Sequence, residues 1–206
     1  GFPIAISIGL SSILAILPSL AFDNTLVTGA QRIFSGISNF TLIAIPFFIL
    51  AGNIMNQGGI AKKLVSFAQS LTGRIPGSLM QTNILANMMF GAISGSATAA
   101  CAAMGGILLP MEEEQGYDKK LGATANIASA PTGLLIPPSN SLIVYSLVSG
   151  GTSVAALFMA GYLPGILWGI GCMALTLYLC KAKGMKGTNN FKLKVVLVTF
   201  IDEIGR

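Results

Sequence analysis

Ile75 to Met111 reads IPGSLMQTNILANMMFGAISGSATAACAAMGGILLPM, thirty-seven residues without a charge. That is long for one crossing of a lipid hydrocarbon core, which needs about 20 apolar residues. Its middle, GAISGSATA from Gly91 to Ala99, is a run of small and hydroxyl residues. Two readings fit. A single long helix could use Gly91 and Gly95 as a GxxxG packing face. Alternatively the segment folds back at this run as a re-entrant hairpin. Its arms would have about 15 residues, or about 22 Å at 1.5 Å per residue. Such arms reach past the midplane of a core about 30 Å thick.

The rest of the chain has the same character. Of 206 residues, 53% are hydrophobic and 9% charged, and the mean hydropathy is +0.76. A typical soluble domain has about 25% charged residues. Nineteen charges cannot cover a soluble surface of this size, so lipid is the expected solvent. Disordered chains, secreted disulfide scaffolds and soluble nucleotide enzymes are excluded, and no Walker-type Gly-Lys-Ser/Thr occurs. The absence of histidine excludes Ser-His catalysis and His-bound metal within these residues. Cys101, Cys172 and Cys180 form no CxxC pair and read as small buried hydrophobes. The net charge of +5 is no nucleic-acid footprint, because the Lys and Arg residues cluster at the ends of apolar segments.

The uncharged segments order the chain as an all-α integral membrane protein. Residues 1–57 hold two scaffold-like spans. The first runs from Phe2 to Phe22 and lacks the charged start of a signal peptide. A loop or interfacial turn follows over Asp23–Phe40. The second span begins at 41–55, kinked at Pro46. Residues 58–76 form an arm in which Ile60, Leu64, Phe67 and Leu71 recur at helical spacing. An amphipathic helix in the membrane interface and a solvated helix between spans both fit that pattern.

Residues 77–111 are the hairpin, 121–149 a broken span, and 154–180 a span with Gly161, Gly165 and Gly169 in a packing stripe. Residues 191–206 begin a truncated next segment, and the chain looks cut at both ends, with no initiating Met. Residues 121–180 are right for two crossings with a turn at Ser149–Ser153. Those crossings return Lys181, Lys183 and Lys186 to the side of Lys119 and Lys120. A hairpin over 75–111 adds Lys62, Lys63 and Arg74 to that side and satisfies the positive-inside rule better than a crossing does.

The span 121–149 is interrupted by APTGLLIPPSN, from Ala130 to Asn140. Proline lacks a donor and clashes with the carbonyl one turn back, and the residue before it avoids the α region. An unwound segment at membrane depth is tolerated only where it faces protein or a water-lined cavity. Two broken elements on one chain point to a transporter binding site. The carbonyls that end a half-helix can replace water around Na⁺, and the N–H groups that begin one attract an anion. The first hairpin arm should end near Gly91–Ile93 and the second begin near Ser94–Ser96. The broken span should end its first half near Ala130–Gly133 and restart near Ser139, with Asn140 beside it. Ser94, Ser96, Thr98, Thr132 and Ser139 supply hydroxyls. Asn83, Asn87 and Asn126 read as hydrogen-bonding groups that stabilise the hairpin. Glu112–Glu114, beside Asp118–Lys120, read as a solvated cytoplasmic loop, which leaves no carboxylate within a span for a proton relay and favours sodium coupling.

These residues resemble the large membrane subunit of the tripartite ATP-independent periplasmic (TRAP) transporters over nearly the whole chain. The shared motifs are Ala44-Ile-Pro-Phe-Phe-Ile-Leu-Ala-Gly-Asn53, Gly73-Arg-Ile-Pro-Gly77, Phe90-Gly-Ala-Ile-Ser-Gly-Ser-Ala97, Glu114-Gln-Gly-Tyr117 and Ile136-Pro-Pro-Ser139. The resemblance implies no enzyme and no cofactor, but a sodium-coupled importer of organic acids, such as sialic acids or C4-dicarboxylates, in a bacterial inner membrane. It implies an elevator of two inverted repeats, of which this chain is roughly the first. It also implies a small four-helix membrane subunit and a periplasmic substrate-binding protein as partners, with lipid around them. On this resemblance sodium is held by Ser94, Gly95, Ser96, Pro131, Thr132, Gly133, Ile136 and Pro138, mostly through backbone oxygens. Substrate meets Ser96, Ala97, Thr98, Ser139 and Asn140. The rivals are a stand-alone sodium/dicarboxylate elevator, a non-transporting structural subunit, and an intramembrane serine protease. The protease is poorly supported without histidine or a Gly-x-Ser-Gly.

Overall fold

Helices alone make up the secondary structure of the described residues, 2–185, in this computed structural model. The expected apolar start at 191–206, Lys186 and Lys192–Lys194 lie outside them. The contacts divide the chain into two units, Gly1–Ile43 and Ala44–Arg206.

The first unit is a pair of helices, α1 (Ile4–Ile16) and α2 (Phe22–Ile37), followed by a 3₁₀ turn at Phe40–Ile43. The expected span over Phe2–Phe22 is shorter than its apolar run. Its 13 helical residues end at Ile16, and Leu17, still in the α region, leads into the turn at Pro18. Asp23–Phe40, expected as a loop, is mostly helix instead. Phe22, Leu26, Ile33 and Ile37 fall on one side of it and are exposed, so its polar composition masks a helical apolar period.

The second unit holds α3 (Ala44–Gln57), α4 (Ile60–Thr72), α5 (Ser78–Ser94), α6 (Ala97–Glu114), α7 (Lys119–Ser129), α8 (Thr132–Leu135), α9 (Asn140–Val148) and α10 (Val154–Ala182). Pro46 lies in the first turn of α3. There its missing N–H is one the helix would leave unpaired anyway, so it starts the helix and does not kink it. The division of contacts puts α3 with the hairpin rather than with the first unit.

Gly95 and Ser96 separate α5 from α6. Gly95 sits at φ +63°, where a side chain would be strained, and its N–H closes α5 onto the Gly91 carbonyl at 2.8 Å. The Ser96 side chain caps α6 by accepting from the Ala99 N–H at 3.3 Å. The arms run antiparallel, since Asn83 near the start of α5 bonds Glu112 near the end of α6. The continuous GxxxG helix is therefore ruled out, and both ends of the hairpin return to one end of the unit. α5 has 17 residues, so its tip stands about 26 Å from its foot at 1.5 Å per residue.

α4 packs against α5, and its Thr72 hydroxyl meets the Thr82 hydroxyl at 2.7 Å. Its buried face is Ala61, Val65, Ala68 and Thr72, beside the stripe of Ile60, Leu64, Phe67 and Leu71 that the sequence marks as apolar. Small residues let α4 approach closely, and Leu64 packs against the same core from the edge of that seam. The core joins Ala61, Val65 and Ala68 to Leu79, Ala86 and Phe90 of α5 and to Met104 and Leu108 of α6.

α10 alone among the described helices is long and apolar enough to cross a membrane, while Ile4–Ile16 and Ala44–Ile54 are shorter apolar helices. Its outer face exposes Met159, Leu163, Leu167 and Ile170, a surface suited to lipid rather than water. Its inner face is the glycine stripe. Cβ atoms added to Gly161, Gly165 and Gly169 would fall 2.4 Å from Leu135 O, 2.5 Å from Ile136 Cγ1 and 2.2 Å from Met88 Sδ. The stripe thus seats the broken segment and the hairpin against α10.

Candidate functional site

The break between α8 and α9 begins where Ile136 turns extended (ψ 122°) before Pro137 and Pro138. α9 restarts at Asn140 under Ser139, whose hydroxyl accepts from the Leu142 N–H at 3.4 Å and donates to the Leu134 carbonyl at 2.6 Å. One serine therefore both caps the new helix and ties it to the old one. The hairpin tip crosses this break backbone to backbone. A Cβ on Gly91 would fall 2.4 Å from Gly133 Cα, and one on Gly95 would fall 2.8 Å from the Pro138 carbonyl. The Asn140 N–H donates to the Gly95 carbonyl at 3.4 Å. Gly95, Ser96, Gly133, Pro138 and Asn140 are thus brought together.

The remaining expected residues are placed differently. Ser94 packs against Gly52 of α3, where an added Cβ would be 3.4 Å from Ser94 Cα. Beside it a cavity of about 200 Å³ is lined by Ile49, Gly52, Asn53, Phe90, Ser94, Ser96 and Ala99. Ile136 turns its side chain to Gly165 of α10. Pro131 lies in α conformation at the start of α8. Thr132 is fully buried and donates its hydroxyl to the Ser129 carbonyl at 2.7 Å. Thr98 is exposed, with its hydroxyl 3.0 Å from that of Ser96, and Ala97 is half-buried.

The tip carries polar backbone without partners. Among the described residues no donor reaches the carbonyls of Ala92, Ile93 and Ser94, which end α5. The N–H groups of Ala97 and Thr98, which begin α6, meet no acceptor. Carbonyls of this kind suit a cation, and N–H groups at a helix start suit an anion. Among the described residues no group of three His, Cys, Asp or Glu could hold a transition metal.

Behind the tip runs a chain of buried amides. Asn126 Nδ2 donates to the Cys101 carbonyl at 3.0 Å. Asn87 Nδ2 lies 2.8 Å from Asn126 Oδ1, 2.9 Å from Asn83 Oδ1 and 3.0 Å from Ser129 Oγ. Asn83 Nδ2 donates to Glu112 Oε1 at 3.1 Å. The network bridges the hairpin arms, where hydrogen bonds are expected, and it also ties both arms to the first half of the broken helix. Glu112 corrects the expectation of a solvated loop. It is 2% exposed, on the inner side of α6, while Glu113 and Glu114 are exposed and Glu113 pairs with Lys119 at 2.9 Å. Three consecutive glutamates hide this difference in sequence; only the helical position of Glu112, one turn after Leu108 on the buried face, signals it.

At the foot, Lys183 reaches Asp118 at 3.1 Å, and Gly77 abuts Cys180. The start of α5, the α6–α7 turn and the end of α10 therefore share one end. The Lys183 ammonium and the Lys120 backbone N–H hold the exposed Asp118 carboxyl below its ordinary range. The Ser149–Ser153 turn closes separately through Ser149 Oγ and Thr152 Oγ1 at 2.8 Å.

The family model "Tripartite ATP-independent periplasmic transporter, DctM component" matches residues 1–205. An uncharacterized protein of Salmonella typhimurium is 53% identical over 99% of this chain and 47% of its own length. The sialic acid TRAP transporter large permease of Vibrio cholerae is 40% identical over 86% of this chain and 42% of its own. The C4-dicarboxylate TRAP transporter large permease of Rhodobacter capsulatus is 37% identical over 81% and 40%. The chain thus spans less than half the length of these relatives.

Proposed function

The chain belongs to the DctM component family of tripartite ATP-independent periplasmic transporters, and from that premise we propose that it is one repeat of a sodium-coupled importer of an organic acid. The family is one of membrane transporters, not enzymes. The observation that carries the proposal is the crossing of the two breaks, Gly91 on Gly133 and Asn140 on Gly95, beside unpartnered carbonyls.

In this reading 77–111 is a re-entrant hairpin that enters from the cytoplasmic face of a bacterial inner membrane. Na⁺ sits between the tip (Ser94, Gly95, Ser96) and the break (Pro131, Thr132, Gly133, Ile136, Pro138), held by backbone oxygens, with the Ala92 and Ile93 carbonyls added to the set. Substrate carboxylate meets the N–H side of the tip, at Ser96, Ala97 and Thr98, with Asn140 of the break. Ser139 belongs to the same region, but its hydroxyl is already committed to the cap and the Leu134 carbonyl, so its role there is to set the break. The sodium ion ties hairpin and broken helix into one body that moves as an elevator, and each charge moved inward gains about 2.3 kcal/mol per 100 mV. Sialic acids and C4-dicarboxylates are the substrate classes suggested by relatives. A periplasmic binding protein and a small membrane subunit complete the machine.

The test is the sodium concentration for half-maximal uptake by the full-length protein in liposomes. Ser96→Ala and Thr132→Ala should raise it modestly, and Gly133→Val, which strikes the backbone crossing, should raise it more. Unchanged sodium dependence in all three variants would place the ion elsewhere. Full uptake without a binding protein would favour the stand-alone elevator.

A further inference from the structure

Glu112 is a carboxyl that the proposed transport chemistry does not use, and its surroundings are not those of a stable carboxylate. Its one hydrogen bond is from Asn83 to Oε1; Oε2 is buried with no partner. Oε2 instead faces the backbone of Gly122 on α7, where an added Cβ would lie 2.1 Å from it. The donors behind Asn83 are fixed in one direction. The amide of Asn126 donates to a backbone carbonyl and accepts from Asn87, and Asn87 in turn donates to Asn83. Glu112 is the acceptor at the end of that chain.

The charged and titratable groups of every element packed around it are otherwise engaged or remote. α5 and α8 carry none. On α7, Lys119 pairs with Glu113, and Lys120 is exposed. Towards α10, Lys183 pairs with Asp118, Lys181 and Tyr178 are exposed, and Cys180 is a buried thiol next to Met80. α4 meets the foot of α5 through Thr72, which places Lys62 and Lys63 at its other end, and Arg74 in the following turn is exposed. On its own helix Glu113 and Glu114 are exposed, and Tyr117 follows in the turn. Among the described residues neither ion pair includes Glu112.

An uncompensated buried carboxylate is far costlier than a buried neutral acid. We propose that Glu112 is a proton-binding site at the foot of the hairpin: in the folded protein its carboxyl carries a proton on Oε2, and release of that proton to alkaline solvent loosens α6 from α7. Glu112 lies one residue beyond the membrane hairpin 77–111, and there burial pushes its carboxyl above the ordinary range, with the Asn83 hydrogen bond opposing in part. The sign follows by linkage. A carboxyl raised in the folded state contributes stability below its unfolded value of about 4.3, and that contribution is lost as pH rises through the folded value.

The experiment uses the full-length protein in lipid nanodiscs, wild type and Glu112→Gln. Gln keeps the acceptor for Asn83 and cannot ionise. Infrared spectra at pH 7 should show a protonated-carboxyl stretch in wild type that is missing from the variant and that titrates only above the ordinary glutamate range. The melting temperature of wild type should fall between about pH 5 and pH 9, and that of Glu112→Gln should fall less. If Glu112→Gln does not fold, Glu112→Asp replaces it, because a shortened acid must shift or lose the same band. A wild-type spectrum at pH 7 with no band assignable to Glu112 would overturn the proposal. So would titration in the ordinary range, or an ionised Glu112 stabilised by Na⁺.

Discussion

Gly91→Ala is the sharpest perturbation of the hairpin–break crossing. The new methyl would lie 2.4 Å from Gly133 Cα and 2.9 Å from Gly133 N. Carbon contacts are optimal at about 3.5–4.0 Å, so the two backbones must part by about 1 Å. Both atoms are main chain, and no side chain can rotate out of the way. Overpacking of this kind costs about 1–3 kcal/mol. Alanine recovers about 0.5–1 kcal/mol of that, because glycine is the poorer helix former. A net loss of up to about 2.5 kcal/mol follows. Gly106→Ala is the control, on the other arm of the hairpin, with nothing within 4 Å of its added Cβ; it should be neutral or stabilising. Thermal unfolding of the full-length protein in detergent, with and without Na⁺, reads both effects. Gly91→Ala should melt lower than wild type and gain less from sodium than Gly106→Ala does. Equal melting temperatures and equal sodium responses in the two variants would refute the crossing.

Asn87→Leu should cost about 1–3 kcal/mol, because it leaves buried acceptors on Asn83 and Asn126 without their donor; a melting temperature equal to wild type would deny the network any structural weight. For topology, single cysteines at Arg74, Glu113 and Thr152, all exposed, report the two ends. A membrane-impermeant reagent added to whole cells should label Thr152→Cys and spare the other two. Opposite labelling of the first two would turn the hairpin into a crossing.

The breaks were legible because prolines and small residues act locally. The expected arm boundaries near Gly91–Ile93 and Ser94–Ser96 fall within a few residues of the observed Ser94 and Ala97, and Ser139 caps α9 as its position before Asn140 suggests. The glycine stripe on α10 announced a close neighbour, though only the fold shows that the neighbour is the broken segment of the same chain. What sequence hid was long-range or face-dependent. Gly91 pairs with Gly133, forty-two positions away, and nothing in either flanking sequence encodes that meeting. α4 buries Ala61, Val65, Ala68 and Thr72, a face that its stripe of larger apolar residues does not mark. α2 was missed through its polar composition, and Glu112 through its exposed neighbours.

The most direct test of the account is ion-driven uptake in proteoliposomes containing the full-length protein with the proposed small subunit and loaded binding protein. With an inward Na⁺ gradient, labelled sialic acid or C4-dicarboxylate should accumulate. Replacement of external Na⁺ by K⁺ at the same membrane potential should abolish accumulation, even with a proton gradient imposed. Accumulation that persists without Na⁺ and follows the proton gradient would contradict a sodium site at the hairpin tip.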